Sequence, residues 1–234
     1  MDSFEPGSGH VNMGELVCVK NNQFIAFNKP PGIAIQTKSD ISFKYLAENY
    51  CQHPLHIVHR IDQPASGLVL FAQNKKALIT LNEQLRNRQF LRKYLAIVRN
   101  IPQPPEGSLV HYLLRKSRIN KTYVFDVQKD DAKKAELKYR YVASSDHFHL
   151  LEIDLITGRH HQIRAQLAAI GCPIKGDVKY GYRRSNPDRS IHLHARRLSF
   201  IHPVNGLKTV IQAPIPDEVL WNVFLEMPDL ELGS

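Results

Sequence analysis

The stretch HRIDQPASGLVLF, residues 59–71, places charged residues directly ahead of an apolar run. The apolar letters have the composition of a buried strand, and the Pro-Ala-Ser-Gly letters before them predict a turn. Asp62 is therefore expected in a loop that enters a strand, where a rigid sheet commonly holds catalytic groups. If that loop is extended, Arg60 and Asp62 point to the same side. By itself, however, an Arg-x-Asp pair is more often a structural ion pair.

A helix and a second strand are predicted after this run. Apolar residues recur at helical spacing over residues 77–85, and Asn74 can cap the start of the helix. The segment FLRKYLAIV, residues 90–98, alternates with the period of a strand and would place Arg92 and Tyr94 on one face. A tyrosine there can stack on a nucleobase, although a half-buried strand tyrosine is more often part of the core.

The second half of the chain is richer in predicted strands. AELKYRYVAS and FHLLEIDLI, residues 135–144 and 148–156, predict an antiparallel pair joined by a turn. HLHARRLSFIHP, residues 192–203, predicts a further strand that ends at a proline. FIAF, residues 24–27, is a short apolar run, and the NKPPG letters after it predict a turn. Because hairpins are mixed with only a few helices, we predict an α+β fold with a largely antiparallel sheet.

The segment TGRHHQIRAQLAAIG, residues 157–171, changes to a helical period and has a glycine where a C-terminal cap belongs. Arg159 falls in the preceding turn, and His160, His161 and Arg164 fall on the first helical turns. His160 and Arg164 are four residues apart and would share a face. Free N–H groups at a helix start can bind a phosphate, but a solvated basic face explains the same pattern.

The composition is that of a folded globular protein, with 43% hydrophobic and 23% charged residues in a chain of 234. The net charge of +9 favours a polyanionic partner such as nucleic acid, although many basic proteins bind none. No apolar run approaches the roughly 20 residues that a membrane span needs. The three cysteines are widely spaced without a Cys-x-x-Cys pair, which fits a reducing compartment.

Several of these segments, taken in order, resemble the RluA-type pseudouridine synthases, which isomerise uridine to pseudouridine in RNA. HRIDQPASGLVLFA is similar to their His-Arg-Leu/Ile-Asp signature, and RKYLAIV to their Lys/Arg-x-Tyr-Leu-Ala-x-Val strand. TGRHHQIRAQLAAIGCPIKGDVKYG resembles their Thr-Gly-Arg-x-His-Gln-Ile-Arg segment with its Gly-Asp-x-x-Tyr-Gly continuation. NKPPGI, LHARRLSFIHP and APIP also match, so the resemblance runs from about residue 24 to residue 216.

The resemblance implies a pseudouridine synthase catalytic fold. This is an α+β fold with a largely antiparallel mixed sheet in two lobes, flanked by helices, and with a central RNA-binding cleft. Residues 1–15 are expected to form a flexible N-terminal tail, and residues 16–234 a single catalytic domain. Many relatives carry a small RNA-binding domain ahead of the catalytic one, and we expect that this chain does not.

The resemblance also implies roles for four residues. Isomerisation breaks the bond from ribose to the ring nitrogen, turns the uracil and rejoins it through carbon, so neither a cofactor nor a metal is expected. Asp62 would be the essential carboxylate, acting as a nucleophile or a base on a flipped-out uridine. Arg164 would keep it ionised, and Tyr94 would be a catalytic residue that stacks on the uracil, with its hydroxyl placed for proton transfer or for orienting the base. Arg60 would enter the RNA helix where the uridine left.

Further basic residues are candidates for binding the RNA substrate. They are Lys29, Arg159, His161 and Lys179, with Arg183 and Arg184 in the loop that follows. Three positions depart from the pattern of the family: Ala65 replaces the usual threonine, Gln166 the usual histidine, and Cys172 a frequent histidine. None of the three is a proposed catalytic residue, and whether they alter specificity stays open.

The expected partner is ribosomal or transfer RNA, with no membrane and no obligate protein partner, and we expect a cytoplasmic monomer. The N-terminal letters MDSFEPGSGHVNMGE lack the basic start and apolar core of a signal peptide. A non-catalytic basic RNA-binding protein is the alternative, but it would not need Asp62, because a carboxylate facing phosphates opposes binding. The twelve histidines suggest a metal-dependent hydrolase as a second alternative, but no three of them have the spacing that is typical of metal ligands.

Overall fold

One mixed β-sheet of eleven strands forms the centre of the part of the chain that is described. The computed structural model describes residues 12–37, 42–227, 230 and 232. The strands are β1 Val17–Lys20, β2 Phe24–Lys29, β3 His56–Ile57, β4 Ser66–Ala72, β5 Leu91–Val98, β6 Glu106–Lys116, β7 Lys121–Phe125, β8 Lys133–Ser144, β9 His149–Leu155, β10 Leu193–Ile201 and β11 Lys208–Gln212. The helices are α1 Phe43–Cys51, α2 Lys75–Arg86, α3 Gln162–Ala169 and α4 Val219–Leu225, with single 3-10 turns at Ser117–Ile119 and Val178–Tyr180.

The strand order is β1-β2-β4-β10-β5-β9-β8-β6-β7, with β3 paired to β4 and β11 paired to β10. Every pairing among these strands is antiparallel except that of β4 with β10, which is parallel. The predicted α+β class with a largely antiparallel sheet is therefore confirmed. The sheet is open, and β4, β10 and β5 are adjacent at its centre.

The parallel pairing of β4 with β10 explains the glycine in the opening stretch. Gly67 lies opposite Ala195 in this short register. Its φ is +108°, and a Cβ built there would lie 2.4 Å from the backbone oxygen of Ala195. Only glycine tolerates both the dihedral and the close approach. This close pairing of Gly67 with Ala195 fixes the position at which β4 begins. It therefore also fixes the end of the loop that carries Asp62.

Most of the predicted elements are present. Helix α2 begins at Lys75, and the side chain of Asn74 accepts a hydrogen bond of 2.9 Å from the backbone N–H of Ala77, as a capping residue should. β8 and β9 pair antiparallel across the predicted turn, with Ser144 opposite His149. β5 and β10 occupy the two further segments predicted as strands.

The start of α3 differs from the prediction. The helix begins at Gln162, so His160 and His161 precede it, and the predicted helical face shared by His160 and Arg164 is wrong. His161 has a φ of 50°, in the left-handed region. The physical reason is tertiary: Nδ1 of His161 binds the Tyr180 hydroxyl at 2.9 Å, and the two imidazole rings stack at 3.7 Å. These contacts hold the backbone outside the helix.

β5 separates two hydrophobic cores because its side chains alternate. Tyr94 and its neighbours two and four residues on face the main core, whereas Leu95 and Ile97 face a smaller one with Trp221 of α4. Of the predicted N-terminal tail, residues 1–11 lie outside the described residues, and Met13 is buried in the main core. None of the helices in the described ranges is long and apolar enough to cross a membrane.

Candidate active site

A cleft of about 1130 Å³ opens between the loop after β3, the end of α2 and the turn after β9. It gathers six of the ten residues predicted to form the site: Arg60, Asp62, Arg159, His161, Arg164 and Lys179. The remaining four, Lys29, Tyr94, Arg183 and Arg184, do not line it. Within the described residues, no group of three or more histidine, cysteine or acidic side chains is placed to hold a metal ion.

Arg164 joins two carboxylates at this cleft. Its Nη1 donates to Oδ2 of Asp62 at 3.2 Å, and its Nε and Nη2 donate to both oxygens of Asp177 at 2.6 and 2.8 Å. The side chain of Asp62 is 23% exposed, whereas that of Asp177 is 1% exposed. Burial alone lowers the pKa of a cation, but these carboxylates raise the pKa of Arg164 above its ordinary value. The guanidinium is therefore permanently charged.

Asp177 and Tyr180 hold Arg164 from a single turn of chain. The backbone N–H of Tyr180 donates to the carbonyl of Asp177 at 3.0 Å. The ring of Tyr180 lies under the Arg164 guanidinium, 5.1 Å from ring centroid to Cζ. Neither residue was assigned a role from the sequence. Their signal was the Gly-Asp-x-x-Tyr-Gly continuation, but spacing alone could not show that it folds back onto α3.

The pKa of Asp62 is raised from its ordinary value. Burial is the largest cause and the nearby charge of Asp177 adds to it, while Arg164 and, more weakly, Lys29 oppose the rise. A carboxylate with a raised pKa and one edge open to a cleft is the arrangement expected of a nucleophile or a general base.

Lys29 does not occupy the surface position expected of a phosphate contact. It is fully buried, and its ammonium donates to the carbonyls of Pro30 at 2.5 Å and Gln63 at 3.3 Å. Burial lowers the pKa of Lys29 to about 7, against the opposing effect of Asp62. The NKPPG turn and the Asp62 loop are further tied where Gly32 N–H donates to Gln63 O at 2.9 Å. Lys29 therefore acts on the site from within the protein.

Tyr94 is also buried rather than exposed on the cleft wall. Burial raises the pKa of Tyr94 to about 12, with the charge of Asp62 adding to the rise and that of Arg92 opposing it. The phenol therefore keeps its proton at neutral pH. The Tyr94 side chain lies within electrostatic range of both Asp62 and Arg92.

Two neutral histidines form the wall beside Arg164. Burial, together with surrounding cations, lowers the pKa of His160 to about 4 and that of His161 to about 2. The hydroxyl of Tyr180 accepts from the backbone N–H of Thr122 at 2.9 Å and lies 2.9 Å from Nδ1 of His161. Nδ1 of His160 lies 2.9 Å from the hydroxyl of Thr122. The network fastens β7 to the start of α3.

The rim of the cleft is basic. Arg60 and the predicted contacts Arg159 and Lys179 are exposed there. The sequence interpretation missed four further arginines that line the same cleft: Arg86, Arg88, Arg92 and Arg115. A cleft lined by one sign of charge concentrates a polyanion. The sequence indicated these four arginines only through the net charge, and the net charge does not show which cations line the same cleft.

The chain matches the family model described as RNA pseudouridylate synthase over residues 23–169. It is 31% identical over 210 residues to ribosomal large subunit pseudouridine synthase C of Rickettsia typhi, a match that covers 86% of this chain and 68% of that protein. The chain belongs to the RluA-type pseudouridine synthase family. The protein of the same description from Yersinia pestis is 30% identical over 217 residues, covering 88% of this chain and 68% of its own length. As a member of this family, the chain is an RNA pseudouridine synthase, an isomerase.

Solved structures share the fold of this pseudouridine synthase. Human RNA pseudouridylate synthase domain containing 4 matches with a TM-score of 0.73 at 24% identity, covering 88% of this chain and 90% of that chain. Human RNA pseudouridylate synthase domain containing 1 matches with a TM-score of 0.72 at 24% identity, covering 91% and 87%. These likenesses show the pseudouridine synthase fold and nothing finer.

The three departures from the family pattern lie in the interior. Ala65 and Cys172 are buried, and the Cys172 thiol is free. Gln166 is fully buried on α3, where its Nε2 donates to the carbonyl of Leu109 at 3.2 Å and lies 2.9 Å from Nδ1 of His111. None of the three departing residues lines the cleft, so their contacts concern packing.

Proposed function

We propose that this protein isomerises a specific uridine of ribosomal or transfer RNA to pseudouridine, with Asp62 as the essential carboxylate. The observation that carries the proposal is the contact between Arg164 and Asp62 in a basic cleft. The relatives named above are described as acting on the ribosomal large subunit, which makes ribosomal RNA the first substrate to test.

Asp62 attacks the sugar or the base as a nucleophile, or removes a proton as a base. Either role needs the ionised form, which Arg164 favours because the opposite charge lies 3.2 Å away. Since Asp177 already binds the other edge of the same guanidinium, Arg164 reaches Asp62 with little freedom to turn. Such preorganisation lowers the cost of reaching the transition state.

Arg60, exposed at the rim, enters the RNA helix at the position that the flipped uridine leaves. Arg159 and Lys179 bind backbone phosphates, and His161 lines the wall against which the nucleotide rests. The Tyr94 ring contacts the uracil once the nucleotide has entered, and its protonated hydroxyl orients the base. Lys29 supports the charge of Asp62 from below.

The wider setting of the activity belongs to the same proposal. Residues 16–234 form one catalytic domain that acts as a monomer and without a cofactor or metal. The reaction takes place in the cytoplasm, which suits three free cysteines.

The experiment is a map of pseudouridine in cellular RNA with and without the gene. We expect at least one site to disappear and to return with the wild-type protein, but not with Asp62→Asn. Asp146→Asn is the matched control, because it makes the same chemical change at an exposed turn outside the cleft. Restoration of the site by Asp62→Asn would overturn the proposed role of Asp62.

A non-catalytic RNA-binding function gives the opposite pattern. In that case no pseudouridine site depends on the gene, and Asp62→Asn binds RNA at least as well as the wild type, because a negative charge facing phosphates has been removed. Measuring binding and turnover on the same RNA separates the two functions.

A further inference from the structure

Arg92 is a cleft-lining cation without an acidic partner among the described residues. Its Nη2 donates to the carbonyls of Leu155 and Ile156 at 3.3 and 3.4 Å. Its neighbour on β5, Lys93, shows the ordinary arrangement: it has an ion pair of 2.9 Å with Glu152. Of these two adjacent cations on β5, Lys93 therefore has an acidic partner, whereas Arg92 has none among the described residues and lines the cleft.

Two residues that line the cleft, Arg92 and His59, each have a buried N–H donor without a partner. Nε of Arg92 is fully buried and has no hydrogen-bond partner. Burial and, after it, the positive charge of Arg92 lower the pKa of His59 to about 3, so the ring is neutral. Nε2 of His59 accepts from the backbone N–H of Leu70 at 3.2 Å, so the proton of this neutral ring is on Nδ1, which is also buried and unpartnered. Both donors require an acceptor.

The Arg92 guanidinium passes between Gly158 and the end of β9. A Cβ at Gly158 would lie 2.7 Å from Nη1 of Arg92, so this residue is kept free of a side chain where the guanidinium passes. The two carbonyls at the end of β9 fix the other edge.

A buried cation without a counter-charge is costly to a fold, and burial lowers the pKa of Arg92 accordingly. Unsatisfied buried donors are also rare in native proteins. An anion that enters with a ligand offsets both costs. The rim arginines, Arg60, Arg86 and Arg159, exclude a cationic ligand, and uracil itself carries no charge. In RNA the anion is the phosphate.

We propose that Arg92 and His59 bind one backbone phosphate of the RNA beside the reacting uridine. His59 and Arg92 line the same cleft as Asp62, so a phosphate bound there would share the cleft with the reacting nucleotide. The inference rests on the proposed function for the identity of the ligand, but not for the existence of an anion site.

The first test needs no RNA. Thermal unfolding of the wild type, Arg92→Gln and Lys93→Gln is followed in inorganic phosphate and in chloride at equal ionic strength. We expect phosphate to raise the melting temperature of the wild type and of Lys93→Gln, and most of that rise to disappear in Arg92→Gln. An equal phosphate effect in all three proteins would overturn the proposal.

The second test measures RNA binding against salt in an Asp62→Asn background, so that no turnover occurs. Loss of one phosphate contact reduces the slope of log Kd against log salt concentration by about 0.7 to 0.9. We expect that reduction and an affinity loss on the order of tenfold in Arg92→Gln, but not in Lys93→Gln. Arg92→Lys keeps the charge, so we expect it to restore the slope while leaving affinity lower.

A merely structural Arg92 gives a different result. If it only ties the Leu155 and Ile156 carbonyls, Arg92→Gln unfolds more easily and its folded fraction keeps the wild-type salt slope, which would overturn the proposal. If Arg92→Gln does not fold, a wild-type Kd in Arg92→Lys would do the same, because the proposal expects weaker binding from that variant. A wild type that gains stability from phosphate through Arg92 yet binds no RNA contradicts the proposed function and supports the anion site.

Discussion

The two carboxylates that Arg164 binds lie in regions of different character. Asp177 belongs to a tight turn, is 1% exposed and receives two hydrogen bonds from the guanidinium. Asp62 belongs to the loop between β3 and β4, is 23% exposed and receives one longer hydrogen bond. The same cation therefore has one fully committed partner and one whose oxygens remain open to the cleft.

This difference between Asp177 and Asp62 suggests that one ion pair stabilises the fold and the other serves the reaction. A buried bidentate ion pair fixes the guanidinium, because breaking it would strand a charge in the interior. A single contact at an open edge favours an ionised carboxylate without covering it. In the proposed mechanism, Asp177 positions Arg164 and Arg164 favours the ionised form of Asp62. Variants of the two aspartates should therefore fail in different ways.

The largest expected effect is the loss of turnover in Asp62→Asn. We expect single-turnover rates to fall on the order of 10⁴-fold or more, because the amide replaces the carboxylate that we propose to be essential. The folded-state pKa of Asp62 is raised, so ionisation is disfavoured by folding and the charge costs stability at pH above that pKa. The free energy of unfolding at pH 7 should therefore be unchanged or higher, as urea unfolding will measure. A substantial loss of stability would contradict the contrast with Asp177.

Asp177→Asn should fail by unfolding rather than by chemistry alone. Removing the charge leaves the buried Arg164 with Asp62 as its one carboxylate among the described residues, at a cost of about 3–5 kcal/mol in the free energy of unfolding. Urea unfolding beside Asp62→Asn is the measurement, since both variants make the same change on the same cation. A cost below about 1 kcal/mol, the range of an exposed pair, would show that the two regions do not differ.

Tyr180→Phe tests the turn on which Asp177 lies. The variant keeps the ring under Arg164 but removes the hydroxyl that accepts from the buried N–H of Thr122. An unsatisfied buried donor costs about 1–3 kcal/mol, which should appear in the free energy of unfolding. Tyr123→Phe, at an exposed position on the same strand as Thr122, is the control and should change it little.

Lys29→Gln should produce the smallest effect, visible in pH dependence. Below about pH 7 Lys29 is protonated and favours the ionised form of Asp62. Losing that charge raises the pKa of Asp62, so the acid limb of kcat/KM should move to higher pH by roughly one unit or less. The exposed Lys75→Gln should leave the limb in place. A limb that moves to lower pH would show that Lys29 does not support the Asp62 carboxylate.

The local elements were predictable because their signals are local. Helical spacing and an asparagine cap gave α2, and alternation gave β5, β8 and β9. The start of α3 was not predictable in the same way. His160 and His161 have ordinary helical spacing to Arg164, but contacts with Thr122 and Tyr180, distant in sequence, hold them outside the helix.

The candidate site likewise has residues that the sequence indicated and residues whose environment depends on tertiary contacts. The sequence indicated Asp62 and Arg164 through the family motifs, and the structure brings them within 3.2 Å. The sequence could not show that Lys29 is buried, because a lysine beside two prolines is expected at the surface. Arg92 was noticed only as the neighbour of Tyr94, since whether a cation has a partner depends on strands that meet only in the folded sheet.

By itself, the sequence determined the family, the strands and helices with strong periodicity, and the residue types available for chemistry, because each of these depends on neighbours along the chain. Only the tertiary structure decided which charges are paired. Arg164 is shared between two aspartates, Lys29 is enclosed, and Arg92 is left without an acidic partner among the described residues. The free energy of a charge depends on burial and on partners far away in sequence, and those exist only once the sheet has formed.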